Sequence, residues 1–288
     1  MINDLTIIIV LYQEKLELIR SCLKNIKNFK IIIIDNDNNN EIRNKINTEF
    51  SIQKYILNKK NIGFTKAANI AIKLVDTKYV MNLNADCIIK ENAILDLLSV
   101  NQKDHNCFIT SPTFYDLNNE LSRNSSSFSE KKIVQNNLYL DGDVCVDWVL
   151  GSAILFKKEI FDEIGMFDEN LFLYFLDEDI CRRAFLKNKS TIQLCNVKAI
   201  HEHGTPKTKN FLKKIFLRSY NFTFDELYYH YKIDKHQVIL NKLKKKVPNY
   251  FCKFFLNIFI LRIDKSTHFL SLILAFLKFK KFLNNNHQ

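Results

Sequence analysis

Glycine and proline are scarce in this 288-residue chain, at 5 and 3 residues, so each glycine carries more positional meaning than usual. No GxGxxG follows the first apolar run and no GxxxxGKS/T occurs anywhere, which argues against a dinucleotide dehydrogenase and a P-loop nucleotidase. The seven cysteines are odd in number and contain no CxxC pair, which excludes a disulfide framework and a zinc ribbon. They read as reduced, buried thiols of a cytosolic protein. No basic segment precedes the short apolar run of MINDLTIIIV, so no secretory signal is expected, and no apolar run reaches bilayer-spanning length. The last third lacks acid. From Pro206 to Gln288 there are 17 Lys+Arg against 4 Asp+Glu, a balance of +13, while residues 1–205 balance at −2 within the total of +11. That asymmetry points the tail at an anionic surface, either lipid headgroups or nucleic acid.

What is present begins with a 47% hydrophobic composition, enough for a sizeable core. Leu5 to Leu11 is a continuous apolar, β-branched run, the pattern of a strand buried on both faces. Glu14 to Lys27 carries one helical stripe of Leu16, Ile19, Leu23 and Ile26. Further strands are predicted over Lys30–Ile34, Tyr55–Leu57, Tyr79–Leu83 and Thr191–Ile200, with a helix over Thr65–Val75. This alternation predicts an α/β fold with a mostly parallel sheet. Ligands of such sheets sit beyond the carboxyl ends of the strands, where Asp35, Asn36, Asn84 and Asp86 gather. Ser111 to Asp143 is polar and reads as a long loop or weak hairpin. From Phe211 the pattern is helical, with a Lys-rich hinge at Asn241–Lys246 and Phe, Leu and Ile alternating with Lys from Tyr250 to Leu283.

The most informative stretch is VDWVLGSAILFKKEIFDEIGMFDENLFLYFLDEDICRR, Val146 to Arg183. It holds the single tryptophan, Trp148, and sets Asp177, Glu178 and Asp179 directly behind the apolar run Leu171 to Leu176. Carboxylates there are costly to desolvate. Spacing alone leaves two readings open: an ordinary helix start paired with Arg182 or Arg183, or a reactive carboxylate.

Taken together, these segments resemble the inverting nucleotide-sugar glycosyltransferases of family 2, with the GT-A type fold, and in particular the rhamnosyltransferase-like enzymes of bacterial surface polysaccharides. The resemblance is carried by TIIIVLYQEKLELIRSCLKNI, IIIIDNDN, NKKNIGFTKAANIAI, YVMNLNADCII and GMFDENLFLYFLDEDICRRA, in that order over about residues 5–205. The sequence departs from the family at Asn84-Ala85-Asp86, where Asp-x-Asp or Asn-Pro-Asp is common, and at Leu176-Asp177, where Glu-Asp is usual.

The resemblance implies a GT-A type domain over 1–205, while the charge and apolar pattern of 206–288 read as a basic amphipathic helical region, with membrane association as the expectation. It implies donor contacts at Val10, Tyr12, Asp35, Asn36, Gly63, Phe64, Asn69, Asn84 and Ala85. A divalent cation, Mn²⁺ or Mg²⁺, would be held by Asp86 and His201, with His203 as the competing ligand. Asp177 would be the general base, and Asp147, Trp148 and Gly151 would lie on the acceptor side. The alternative for Trp148 is core packing. The implied reaction moves a sugar from a UDP- or dTDP-linked donor to a hydroxyl of a glycan, or lipid-linked glycan, in O-antigen, capsule or lipooligosaccharide synthesis. The enzyme would be cytoplasmic and peripheral on the inner face of the membrane. The composition of the tail is that of helices in a membrane interface, the alternative being a helical subdomain with a solvated basic face. Two rival readings are a family-like chain without activity and a basic nucleic-acid-binding module. The second is disfavoured by acids at the strand ends, and no nucleic acid partner is expected.

Overall fold

The structure, a computed structural model, describes residues 2–122, 125–128, 142–202, 211–233 and 236–286. The chain forms two compact units: Met1–Asp168 with Leu176–Pro206, and Glu169–Phe175 with Lys207–Gln288.

The first unit is an α/β assembly. In chain order it runs β1 (Leu5–Leu11), α1 (Leu16–Lys24), β2 (Lys30–Asp35), α2 (Asn40–Glu49), β3 (Lys54–Leu57), α3 (Phe64–Lys73), β4 (Tyr79–Leu83), β5 (Cys87–Ile89), α4 (Glu91–Lys103) and β6 (Cys107–Tyr115). It continues through β7 (Ser125–Ser126), β8 (Val144–Val146), β9 (Trp148–Val149), β10 (Ala153–Lys157), α5 (Lys158–Glu163), α6 (Leu176–Leu186) and β11 (Ser190–His201). The main sheet has the order β3-β2-β1-β4-β10-β6-β11-β5, with β8 added on β11.

β1, β2, β3 and β4 pair in parallel, as do β6 and β11. Between these two parallel groups lies β10, which runs antiparallel to both β4 and β6, and at the far edge β5 and β8 pair antiparallel with β11. β1 is buried on both faces, as its unbroken apolar run requires. Leu5, Ile7, Ile9 and Leu11 enter one core with Met81, Leu83 and Phe114, capped by Ile19 and Leu23 of α1 and Leu97 of α4. Ile8 is equally buried on the opposite face, where α3 packs on β1 and β2 through a stripe that includes Ala67, Ala68, Ala71 and Ile72. Each fully buried Ile or Leu contributes about 1.5–3 kcal/mol.

Part of the segment expected to be a loop is ordered strand. β6 extends through Ser111–Tyr115, and Ser125–Ser126 pairs with Trp148–Val149 in a separate two-stranded sheet. Residues 129–141 lie outside the described residues. All seven cysteines are free, but Cys145 and Cys252 are exposed rather than buried.

The second unit contains α7 (Phe211–Lys232), α8 (His236–Phe259) and α9 (Ile263–Asn286), packed pairwise. Its interior is aromatic: the ring of Phe224 meets Phe279, and Tyr228 meets Phe282. The expected hinge at Asn241–Lys246 is instead continuous helix within α8, which also takes in Pro248. Lysine is a good helix former, and a Lys-rich run breaks nothing by itself. The buried carboxylate of Asp225 accepts backbone N–H groups from Phe172, Leu173 and Tyr174, each at 2.9 Å. Burial raises its pKa, and those three bonds and Lys278 pull it back down. Phe175 follows at φ +62°, a left-handed conformation rare for an aromatic residue. Stacking on Tyr229 and contact with Phe222 hold it there.

Candidate active site

The site grows from the carboxyl ends of β1, β2 and β4. At the end of β2 the chain stops on Asp35, which is 2% exposed. Its Oδ1 accepts the Asp37 N–H at 2.7 Å and its Oδ2 accepts the Tyr55 hydroxyl at 3.2 Å. Burial raises the Asp35 pKa, while those two bonds lower it. The Tyr55 hydroxyl is itself driven up by burial and by the charge of Asp35.

Asn36 ties two neighbouring turns together. Its amide donates to the Gly63 carbonyl at 3.1 Å and accepts from Asn58 at 2.8 Å. Gly63 sits at φ +90° at the start of α3, a conformation that only glycine adopts readily. Phe64 follows, edge-on to Phe167. Asn69 is buried, and its amide both donates to and accepts from the backbone of Phe167.

Of the backbone groups expected near Val10–Tyr12, the Leu11 carbonyl accepts the Asn36 N–H at 2.8 Å, and the Tyr12 N–H donates to the Glu14 carboxylate. Glu14 is a residue the sequence does not single out, because its position in front of the α1 stripe reads as an ordinary helix start. Burial above all lifts its pKa to about 7 against the bonds from the Tyr12 and Glu14 N–H groups, and the charges of Asp86 and Asp35 add to the rise. Glu14 is therefore within electrostatic range of both Asp35 and Asp86.

At the end of β4 the segment Asn84-Ala85-Asp86 turns into β5, with the Asn84 carbonyl accepting the Cys87 N–H at 3.0 Å. Antiparallel pairing of β11 with β5 sets His201 opposite Cys87. That register brings His201 Nε2 to 3.2 Å from Asp86 Oδ1, and the Glu202 N–H donates to the Asp86 carbonyl at 3.0 Å. His203 lies outside the described residues.

The turn from β9 into β10 stitches these strand ends to the first turn of α6. Asn82 donates to the Gly151 carbonyl at 2.7 Å, and the Asn84 N–H donates to the Ser152 carbonyl at 2.8 Å. The Ser152 hydroxyl accepts from the Asn84 amide at 3.3 Å and lies 3.4 Å from His201 Nε2. On the other side the Gly151 N–H donates to Asp177 Oδ2 at 3.2 Å, while the Glu178 N–H donates to Oδ1 at 3.0 Å. One bonded path thus links Asp177 to Asp86 through Gly151, Ser152 and His201. Ser152 is the second residue the sequence leaves unmarked; its adjacency to Gly151 was the available signal.

Asp179 pairs with Arg183 at 2.9 Å. Arg183 also donates to the carbonyls of Ile164 and Met166, which fixes the turn around Gly165. Trp148 is 8% exposed, with its indole N–H donating to the Ser127 carbonyl at 3.4 Å, and Asp147 accepts the Phe128 N–H at 2.9 Å. A separate cavity of about 690 Å³, beside Thr77, Tyr79 and Lys157, shares no residue with this site.

Comparison with known proteins identifies the family. The chain is 25% identical over 227 residues to the low-salt glycan biosynthesis hexosyltransferase Agl10 of Haloferax volcanii, covering 73% of this chain and 70% of that protein. It is 22% identical over 218 residues to the dTDP-rhamnosyl transferase RfbF of Shigella flexneri, covering 72% of each. Among solved structures it resembles GalNAc-T7, crystallised with UDP, GalNAc and Mn²⁺, at a TM-score of 0.56 and 13% identity. That match covers 78% of this chain and about half (51%) of the other, and it supports the GT-A type fold alone. Residues 6–165 match the profile of Glycosyl transferase family 2, more than half of the chain, and the protein belongs to that family of glycosyltransferases.

Proposed function

We propose that this protein is an inverting glycosyltransferase that moves a hexosyl or deoxyhexosyl group from a UDP- or dTDP-linked donor to a hydroxyl of a glycan, lipid-linked, in surface-polysaccharide synthesis. The observation that carries the proposal is the bonded path from Asp177 to the Asp86–His201 pair, which joins a general-base candidate to a cation-binding pair within one unit.

The donor's base and ribose lie against Asp35, Asn36, Tyr12, Gly63 and Phe64, with Asn69 supporting α3 from behind. The diphosphate lies toward Asn84, Ala85 and Asp86. Asp86 and His201 suit a divalent cation. They offer one oxygen and one nitrogen 3.2 Å apart, and two adjacent ligands of one octahedral ion lie about 3 Å apart. Among the described residues no cluster of three or more His, Cys, Asp or Glu side chains forms a metal site; Asp86 and His201 would hold the cation together with donor phosphate oxygens. The imidazole favours Mn²⁺ over Mg²⁺. When bound, the cation neutralises the departing diphosphate.

The acceptor hydroxyl enters beside Asp177, bordered by Gly151, Asp147 and Trp148. Two backbone N–H groups hold the Asp177 carboxylate in one orientation. It takes the hydroxyl proton as the acceptor oxygen bonds to the anomeric carbon. The bond from that carbon to phosphate breaks on the opposite face, its electron pair leaves with the diphosphate, and configuration inverts.

The basic C-terminal unit keeps the enzyme at the cytoplasmic face of a membrane, where a lipid-linked acceptor is presented. Among the described residues no helix is long and apolar enough to cross a membrane, and the association proposed for this unit is a peripheral one, through its basic and apolar surface. The test is a thermal-shift screen of UDP- and dTDP-sugars with Mn²⁺. A donor at about a hundredfold its Kd stabilises the fold by about 2.7 kcal/mol. A screen in which no nucleotide sugar raises the Tm contradicts the proposal.

A further inference from the structure

The turn between α8 and α9 is built against the ordinary rules for a solvent-facing turn. α8 ends in a two-bond cap: the Arg262 N–H donates to the Asn257 carbonyl at 2.8 Å and the Leu261 N–H to the Ile258 carbonyl at 3.0 Å. This pairing places one residue in the left-handed conformation, a position that in such caps is usually glycine and sometimes asparagine. Here that residue is Leu261, at φ +55° and 82% exposed. Neither local geometry nor burial accounts for a leucine at this point.

Its neighbours repeat the anomaly. Phe259 is also 82% exposed, and Phe255, Leu256, Ile260 and Ile263 are each about half exposed. These residues lie on both sides of the turn in sequence, and the turn stands on an ordered base. Asn257 is buried and donates to the Lys253 carbonyl, and Ser266 donates to the Phe254 carbonyl, bridging the two helices. A soluble protein rarely exposes so many adjacent large apolar side chains unless they are a contact surface.

The charge around the apex selects the partner. Lys253, Arg262 and Lys265 flank it, and Lys244, Lys245 and Lys246 lie exposed farther along α8. From His236 to the end of the chain there are 10 Lys+Arg and a single acid, Asp264. Exposed apolar side chains at a turn, flanked in sequence by cations, match the layering of an anionic lipid surface, acyl chains beneath headgroups.

We infer that the α8–α9 apex, led by Phe259 and Leu261, is a membrane-insertion wedge that enters the interface of an anionic lipid surface. This rests on the reading that the C-terminal unit meets a membrane, and it names the residues that enter it. The contact is shallow and reversible, with the flanking lysines and arginine on the headgroup phosphates.

The test uses the full chain and vesicles of phosphatidylglycerol and phosphatidylcholine without acceptor. The wild-type protein should co-sediment with anionic vesicles, and Phe259→Ser/Leu261→Asn should lower its partition by about tenfold or more. Leu261→Asn alone should fold with a Tm at or above wild type, since asparagine tolerates the left-handed position. In a Phe259→Trp variant the new indole should be quenched by brominated acyl chains, while the buried Trp148 is not. Equal vesicle binding by the double variant, with the indole of Phe259→Trp unquenched, overturns the wedge but leaves a purely electrostatic membrane contact standing. Wild-type protein that stays in the supernatant at low salt overturns both. A dimer that becomes monomeric in the double variant, with vesicle binding unchanged, overturns the wedge in favour of a second copy of this chain. The nucleotide-sugar thermal shift is measured in parallel and fails or succeeds independently of all these outcomes.

Discussion

The Gly151 N–H donates to Asp177 Oδ2 across 3.2 Å, and a Cβ added at Gly151 would stand 3.4 Å from the Asp177 Cβ. The turn before β10 and the start of α6 are therefore fitted to each other at the carboxylate proposed as the base. Asp177→Asn keeps the shape and an oxygen to accept the Gly151 N–H, but it cannot take a proton. Turnover should fall by about 10²–10⁴-fold, with donor binding unchanged in a titration followed by calorimetry. A near-normal rate would move the role to Glu178 or Asp179.

His201 and Asp86 should act on donor binding rather than on proton transfer. His201→Ala and Asp86→Ala should each weaken Mn²⁺-dependent donor binding by about tenfold or more, measured by titration of the nucleotide sugar at fixed Mn²⁺. Turnover that persists in excess chelator, or donor affinity unmoved by both variants, would contradict a cation held there.

Glu14 makes a pH prediction. Its pKa is raised from 4.5 to about 7, so between those values the folded protein holds a proton that the unfolded chain has lost. Stability from this group is full below pH 4.5 and is lost as pH rises through about 7. The effect is at most about 3 kcal/mol. Glu14→Gln should flatten the fall in urea-unfolding free energy between pH 5 and pH 8 and be the more stable protein at pH 8. An unchanged slope would mean that Glu14 is ionised and solvated throughout.

In the second unit, Asp225→Ala leaves the N–H groups of Phe172, Leu173 and Tyr174 without their shared acceptor. The loss should be about 3 kcal/mol or more, read as a lower urea midpoint. Asp225→Asn, which retains one acceptor oxygen, should lose less.

Much of the fold is legible because its strands are buried on both faces, which leaves unbroken runs such as Thr6–Leu11 and Lys30–Ile34. α2 is hard to see because NEIRNKINTE buries Ile46 alone and has no apolar stripe. β10 was concealed for a different reason: AILFK is too short to declare its direction, and only pairing with β4 and β6 makes it antiparallel. The candidate site's residues are marked in the sequence mostly by motif resemblance, whereas their connection is not. That Ser152 bridges Asn84 and His201, or that Glu14 occupies the Tyr12 N–H, depends on contacts between residues far apart in sequence or on burial that spacing cannot supply. Trp148, whose spacing leaves acceptor stacking and core packing equally open, is buried.

The central claim is inverting transfer at Asp177. Proton NMR of the product formed from a donor of known anomeric configuration tests it most directly. The new linkage should have the configuration opposite to that of the donor, and it should form at least about a hundredfold more slowly in Asp177→Asn. A product that retains the donor's configuration, or one that forms equally fast without the Asp177 carboxylate, would contradict it.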